Sequence, residues 1–257
     1  MIKKTTIDEI IQINLKLNEL LSFLLNRNKN EELLKFQVLQ RRILKTLNQI
    51  NNSKLNIEEK IYLYKSIKDS LSGNQVKSKF NIIDFVNQNN IYLGNVYFCC
   101  GWLGTFVIFF EEEKYKRIIN IDKDKRIKKI SEDINRDLII KDWKYKHLVE
   151  DIINLNYVDD KLKLNRFDGT EIEINFSPDT IINTSCEHLN NFDDWINSIP
   201  KEKLLILQSN NNDSFEDHIN ISSSLEEFKK KIKLKKIIYE NTIKLNDCER
   251  YTVIGYK

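Results

Sequence analysis

The chain has 257 residues, of which 41% are hydrophobic and 31% are charged. This composition excludes a disordered chain, which is poorer in apolar residues, and an integral membrane protein, which is poorer in charge. The 41 basic and 38 acidic side chains leave a net charge of only +3, so the strong field that attracts nucleic acid or an anionic membrane is absent. We expect a globular protein without a nucleic-acid or membrane partner.

The first 90 residues carry a helical pattern. Apolar residues recur at the 3.6-residue period in two long segments. A third segment begins at Asn56, where Glu59 completes a capping box, and ends near Gly73, which can take the left-handed conformation at a helix C-terminus. A shorter helix is expected near residues 81–86. The pattern predicts an all-helical accessory or cap domain over residues 1–90.

Strands and helices alternate after residue 90, which predicts a parallel sheet in a Rossmann-like α/β domain over residues 91–257. The chain closes with two strands joined by a short polar loop, which predicts an antiparallel hairpin at the sheet edge. The predicted parallel strands are residues 92–100, 117–121, 162–167, 180–184 and 204–208. The predicted helices are residues 103–113, 124–134, 192–197 and 222–231, and the hairpin strands are 236–244 and 250–256.

The four cysteines, Cys99, Cys100, Cys186 and Cys248, form no CxxC pair and are typical of buried thiols in a reducing compartment. The N-terminal stretch MIKKTTIDEIIQ lacks the continuous apolar core of a signal peptide. We therefore expect a cytoplasmic protein.

The turn after the first predicted strand, within VYFCCGWLGTF at residues 96–106, is the first candidate site. Parallel sheets bind ligands at the carboxyl ends of their strands. Gly101 and Gly104 interrupt the apolar run there, at the start of a predicted helix whose N–H groups favour an anionic or polar partner. Asp122 closes the second strand, where a carboxylate can accept both ribose hydroxyls. The alternative is that the glycines only allow a helix to pack closely on the sheet.

These features together resemble the class I S-adenosylmethionine-dependent methyltransferases over about residues 92–257. The resemblance rests on the first strand and its glycine turn, on INID at 119–122, and on the terminal hairpin. DTIINTSCEHL at 179–189, LLILQSN at 204–210 and RYTVIGYK at 250–257 are similar to a phage-borne and bacterial branch of methyltransferase-like proteins.

The resemblance implies that S-adenosylmethionine is the cofactor. It implies that Gly101 and Gly104 flank the methionine part, that Asp122 holds the ribose, and that Asp168 faces the adenine. The first strand has no acid two residues before its first glycine, where the family usually has one. The remaining residues of the expected cofactor site are Cys100, Asn183 and Ser185.

Polar residues also follow the fourth and fifth predicted strands. Glu187 and His188 come just after the fourth, Gln208 and Asn210 close the fifth, and His218 lies in the loop beyond. Because both strand ends face the same edge of the sheet, we expect these side chains to converge beside the transferable methyl group. Glu187 or His188 can act as a base, and the amides can orient a polar acceptor. The alternative is a set of solvated turn residues.

The sequence predicts a methyltransferase that acts on a small polar metabolite, with the N-terminal helices over the pocket and a homodimer possible. NTSC at residues 183–186 lacks the prolines and the aromatic residue with which adenine-amine methyltransferases stack a flipped base. The cysteine and histidines near Glu187 match no structural zinc spacing, so no metal is predicted. One alternative is a nicotianamine synthase-like aminocarboxypropyl transferase using the same cofactor. The other is a non-catalytic binding or assembly protein, which the missing first-strand acid favours.

Overall fold

A computed structural model describes residues 2–140, 143–166 and 169–257 of the chain, with side chains from residue 6 onward. The helices in these ranges are α1 (Ile2–Arg27), α2 (Asn30–Asn52), α3 (Ile57–Ser70), α4 (Gly73–Gln88), α5 (Lys128–Ile134), α6 (Arg136–Ile140), α7 (Phe192–Ser198) and α8 (Leu225–Ile232). The strands are β1 (Gly94–Cys99), β2 (Tyr115–Asp122), β3 (Tyr145–Val149), β4 (Asp160–Asn165), β5 (Glu171–Phe176), β6 (Thr180–Asn183), β7 (Leu204–Asn210), β8 (Lys236–Lys244) and β9 (Glu249–Tyr256). Within these ranges, every helix is too short or too polar to span a membrane.

Seven strands form one mixed sheet in the order β3-β2-β1-β6-β7-β9-β8. The first five are parallel, β9 is antiparallel to β7, and β8 is antiparallel to β9. The predicted Rossmann-like α/β sheet, its terminal hairpin and the preceding helices are therefore confirmed. The chain builds outward from β1 to β3 and then returns to add β6 on the other side of β1. The strand order thus reverses between β1 and β6, which is where such sheets bind ligands.

The two faces of the sheet are covered by different elements. Val96 and Phe98 of β1 belong to a hydrophobic cluster that includes the inner faces of α1 to α4. The alternate residues Tyr97 and Cys99 belong to a second cluster with α7, α8 and the β4–β5 ribbon. This division follows from the two-residue period of a strand, which sends successive side chains to opposite faces. The N-terminal helices consequently share one continuous core with the sheet.

The third and fourth helices begin as their capping residues dictate. Asn56 and Glu59 form the expected capping box, with Asn56 Oδ1 accepting from Glu59 N at 2.9 Å. Helix α3 ends at Ser70, close to the predicted end near Gly73, but Gly73 is not a left-handed residue at its C-terminus. Ser72 is an N-cap that begins α4 there, and its Oγ accepts from Gln75 N at 3.4 Å. Helix α4 is therefore much longer than the predicted helix at residues 81–86.

The predicted helix over residues 103–113 is wrong. This segment is an irregular bend followed by two single-turn 3-10 helices at Val107–Phe109 and Glu112–Lys114. Trp102 and Gly104 both take left-handed backbone conformations, with φ of 48° and 59°. Alternating left-handed residues cannot start an α-helix, so the apolar run is buried as a bend.

The prediction that residues 162–167 form the third strand of the parallel sheet is also wrong. Strand β4 pairs antiparallel with β5 in a separate two-stranded ribbon. Its buried residues, Leu162 and Leu164, alternate with exposed ones, as in a strand covered on one face only. The third parallel strand is β3, which is five residues long and contains the polar residues Lys146 and His147.

Candidate active site

A pocket opens at the carboxyl ends of β1 and β6, where the strand order reverses. Its space, with the mouth included, is about 620 Å³. One wall is the bend at residues 100–107, a second is Thr184 and Ser185 after β6, and the third is the face of α4 that carries Gln75 and Lys79. The N-terminal helices therefore supply part of the site.

The two glycines of the bend lie against side chains of the sheet. A Cβ built on Gly101 would overlap Asn120 Oδ1, and one built on Gly104 would overlap the hydroxyl of Tyr145. Gly104 also has a positive φ, which side chains disfavour. The glycines thus allow the bend to approach β2 and β3 closely. The contact of Gly101 and Gly104 with a cofactor stays a prediction.

Buried amides fix the bend from below. Asn120 Nδ2 donates to the carbonyl of Trp102 at 2.7 Å, and Asn135 Nδ2 donates to the carbonyl of Leu103 at 3.1 Å. Asn120 Nδ2 also lies 3.0 Å from His147 Nδ1, and burial lowers the pKa of this histidine to about 3. A neutral imidazole can accept that hydrogen bond. Asn120 was missed in the sequence, although a fully buried amide between two isoleucines is a readable signal.

Asp122 is half-buried at the end of β2. Its Oδ2 accepts from Trp102 N at 3.2 Å and its Oδ1 accepts from Asp124 N at 3.0 Å. Burial raises the pKa of the carboxyl, and these two backbone hydrogen bonds oppose the rise. Asp122 therefore anchors the bend at Trp102, a residue of the pocket wall, but does not itself line the pocket. A carboxylate offers about four acceptor positions, so both oxygens keep capacity for ligand hydroxyls.

Lys79 is a charged residue of the pocket wall that was not predicted from the sequence. Its side chain lies on the pocket wall, and Nζ has no hydrogen-bond or ion-pair partner within the described ranges. The pKa of Lys79 is lowered from 10.5 to about 7, chiefly by burial and also by the charge of Arg250, and the charge of Glu187 partly opposes the fall. A signal was present, because Lys79 falls on the same face of α4 as Ile82, Ile83 and Val86, where an apolar residue is expected.

Glu187 is buried in an ion pair and does not line the pocket. Its Oε1 accepts from Arg250 Nη2 at 3.0 Å and from Asn210 Nδ2 at 2.6 Å. Arg250 Nη1 also donates to the carbonyl of Thr184 at 2.8 Å. Asn210 and Glu187 thus meet, as predicted from their strand ends, but neither lines the pocket. Arg250 of β9 completes the group and was not predicted.

Gln208 joins α4 to the sheet. Its Oε1 accepts from Ser78 Oγ at 2.7 Å, and its Nε2 donates to the carbonyl of Ser78 at 3.1 Å and to Thr252 Oγ1 at 2.8 Å. These contacts occupy the amide inside the protein. A role in orienting an acceptor stays a prediction that the contacts do not favour.

The two predicted catalytic histidines lie together, outside the pocket wall. The ring centroids of His188 and His218 are 4.7 Å apart. Four predicted cofactor residues line the pocket, and Asn183 lies buried beneath one of them, with Oδ1 accepting from Ser185 N at 2.9 Å. The predicted adenine contact, Asp168, lies outside the described residues. The four lining residues are Cys100, Gly101, Gly104 and Ser185.

Solved structures share this fold at low sequence identity. The magnesium protoporphyrin IX methyltransferase of Synechocystis PCC 6803, with bound S-adenosylhomocysteine, is 9% identical; the match covers 83% of this chain and 94% of that chain, with a TM-score of 0.50. The cyclase SpnF is 10% identical, with 71% and 81% covered and a TM-score of 0.50. A small RNA methyltransferase is 10% identical, with 72% of this chain but only 25% of that chain covered, again at 0.50.

No family model and no curated protein matches the sequence. The likeness to solved structures shows the fold alone, which is the Rossmann-like fold that the methyltransferases among them use. A cyclase shares it, so the fold does not fix the reaction.

Proposed function

We propose that the chain is an S-adenosylmethionine-dependent methyltransferase whose pocket holds the cofactor between the bend after β1 and helix α4. The observation that carries this proposal is the position of the pocket at the reversal point of the strand order. A structural neighbour with the same fold contains S-adenosylhomocysteine.

The residues present suit such a cofactor. Asp122 adjoins the pocket through its contact with Trp102 and has a lone pair left on each carboxylate oxygen for a ribose hydroxyl. Asn183 Nδ2 is buried at the end of β6 without a hydrogen-bond partner in the described part of the chain. Buried donors are normally paired, so a ligand carboxylate or carbonyl near Ser185 is the acceptor that this amide lacks.

Lys79 is the candidate general base. The bound cofactor supplies an electrophilic methyl group on a positively charged sulfur. An acceptor hydroxyl or ammonium must lose a proton, and a lysine with a pKa of about 7 is neutral in about half of the molecules at pH 7. The acceptor's proton passes to Lys79 Nζ. A neutral amine also avoids repulsion of a cationic ligand in a partly desolvated pocket. We therefore place the base on α4 instead of at Glu187 or His188.

The proposed acceptor is a small polar molecule. Helix α4 faces the bend across the pocket, so the acceptor enters between them beside Lys79. The near balance of charge provides no strong attraction for a polyanion.

Calorimetry with S-adenosylmethionine and S-adenosylhomocysteine tests cofactor binding. Asp122→Asn should weaken binding about 10- to 100-fold, because a hydrogen bond to a charged group contributes about 1.5–3 kcal/mol. The matched control is Asp124→Asn, which changes the neighbouring carboxylate that pairs with Arg126 and should bind as wild type. A wild-type protein that binds neither compound at millimolar concentration would refute the proposal.

Product analysis identifies the group transferred. We expect S-adenosylhomocysteine when purified protein is incubated with the cofactor and mixed polar metabolites. Methylthioadenosine instead would indicate transfer of the aminocarboxypropyl group and would replace the methyltransferase proposal.

A further inference from the structure

A second group of chemically active side chains lies beyond the pocket, on the loops that follow β6 and β7. Among the described residues, Glu187, His188 and His218 each place one donor atom within 4.8 Å of the other two. We propose that these three residues form a binding site for a divalent transition-metal ion such as Zn²⁺ or Co²⁺. This departs from the expectation of no metal, which rested on sequence spacing alone.

The hydrogen bonds of both histidines leave the same nitrogen available. His188 Nδ1 lies 3.1 Å from the carbonyl oxygen of Asp217, and His218 Nδ1 lies 2.7 Å from that of Asn212. A carbonyl only accepts, so each Nδ1 carries the hydrogen and each Nε2 presents a lone pair. Metal-binding histidines are commonly fixed in this way by a backbone carbonyl or a carboxylate on the other ring nitrogen.

Glu187 is the carboxylate ligand of the proposed site. One of its carboxylate oxygens is also buried without a partner in the described ranges of the chain, which is an independent indication of a bound cation. Its side chain is almost fully buried, and Oε2 has no hydrogen-bond partner among the residues described. Oε1 is already paired with Arg250 and Asn210. A buried carboxylate oxygen without a donor is costly, and a cation would satisfy it. Arg250 and Asn210 would then hold the ligating carboxylate in place.

The two loops that carry these residues are joined directly. Asn220 N donates to the carbonyl of Glu187 at 2.9 Å, and Asn220 Nδ2 donates to that of Cys186 at 3.1 Å. His218 is thereby held beside His188, although thirty residues separate them in the sequence. Metal bonds of about 2.0–2.2 Å place tetrahedral ligands roughly 3.5 Å apart, so the three atoms need to approach one another by roughly 1.3 Å at most. Both histidines reach solvent, which permits that adjustment.

The donor set selects the kind of ion. Two imidazoles and one carboxylate favour zinc, cobalt or iron, whereas magnesium and calcium favour oxygen ligands. Three protein ligands leave open coordination positions for water or for an oxygen of another ligand.

The test is Co²⁺ and Zn²⁺ binding to the full chain after dialysis against a chelator, without S-adenosylmethionine. We expect one equivalent of Co²⁺, a visible absorption band of a nitrogen- and oxygen-ligated site, displacement by Zn²⁺, and no displacement by equimolar Mg²⁺. His188→Ala and His218→Ala should each weaken binding at least ten-fold. Glu216→Gln is the matched control, because Glu216 is an exposed acid two residues from His218.

Three results would overturn the site: no Co²⁺ or Zn²⁺ binding by the wild type, unchanged binding in both histidine variants, or equal weakening in Glu216→Gln. Thermal unfolding of each variant keeps loss of a ligand distinct from loss of the fold. Because the assay omits S-adenosylmethionine, a negative result for the metal leaves the proposed methyl transfer to its own test.

Discussion

Replacing Lys79 by methionine should change how stability depends on pH. Methionine keeps most of the volume of the lysine stem and removes the ammonium group. In the folded protein the pKa of Lys79 is lowered from 10.5 to about 7, chiefly by burial. That depression corresponds to roughly 5 kcal/mol at 1.36 kcal/mol per pKa unit, and we expect about 3 kcal/mol, because the lysine keeps some contact with water.

The sign follows from proton binding. Below pH 7 both the folded and the unfolded chain hold the proton, and the folded state carries the full cost of the buried charge. Between pH 7 and 10.5 the unfolded chain holds the proton and the folded chain does not, so this group makes the protein more stable as the pH rises. Lys79→Met removes both the cost at low pH and the rise above pH 7.

Urea unfolding of wild type and Lys79→Met at pH 6 to 9.5 measures the difference. The variant should be more stable than wild type by about 3 kcal/mol at pH 6, and this advantage should shrink by about 2 kcal/mol or more by pH 9.5. Lys77→Met is the control, because Lys77 is an exposed lysine of the same helix, and its difference from wild type should stay constant. If the stability difference between Lys79→Met and wild type were as independent of pH as that of the control, the assignment of Lys79 as a buried, mostly neutral amine would be refuted.

Two further predictions concern packing. Gly101→Ala should lower the free energy of unfolding by about 1–3 kcal/mol, because the new methyl group overlaps Asn120. Gly73→Ala is the control and should not lower it, because its new methyl group would have no atom within 4 Å. Equal melting temperatures of the two variants would contradict the tight bend. Arg250→Met should cost about 3–5 kcal/mol by leaving Glu187 charged and buried, and Glu187→Gln in the same chain should recover part of that loss in urea unfolding.

The sequence by itself determined the elements whose signals are local. The capping box at Asn56 begins α3 because the two reciprocal hydrogen bonds join residues three apart. The hairpin of β8 and β9 follows from two apolar strands separated by a short polar loop. The buried strands β1, β2, β6 and β7 could likewise be predicted, because burial on both faces leaves a continuous apolar run.

Only the tertiary structure decided the rest. An apolar run such as residues 103–110 satisfies burial equally as a helix or as a bend, and the side chains of Asn120 and Tyr145, distant in sequence, fix the bend. Gln208 was expected at the site by its strand end, but Ser78, 130 residues earlier, binds it inside the core. Lys79 belongs to a helix of the predicted accessory domain, and it lines the site because α4 packs over the sheet edge. The parallel strand order brings the carboxyl ends of the strands to one edge of the sheet. Packing then decides which side chains at those strand ends face the pocket.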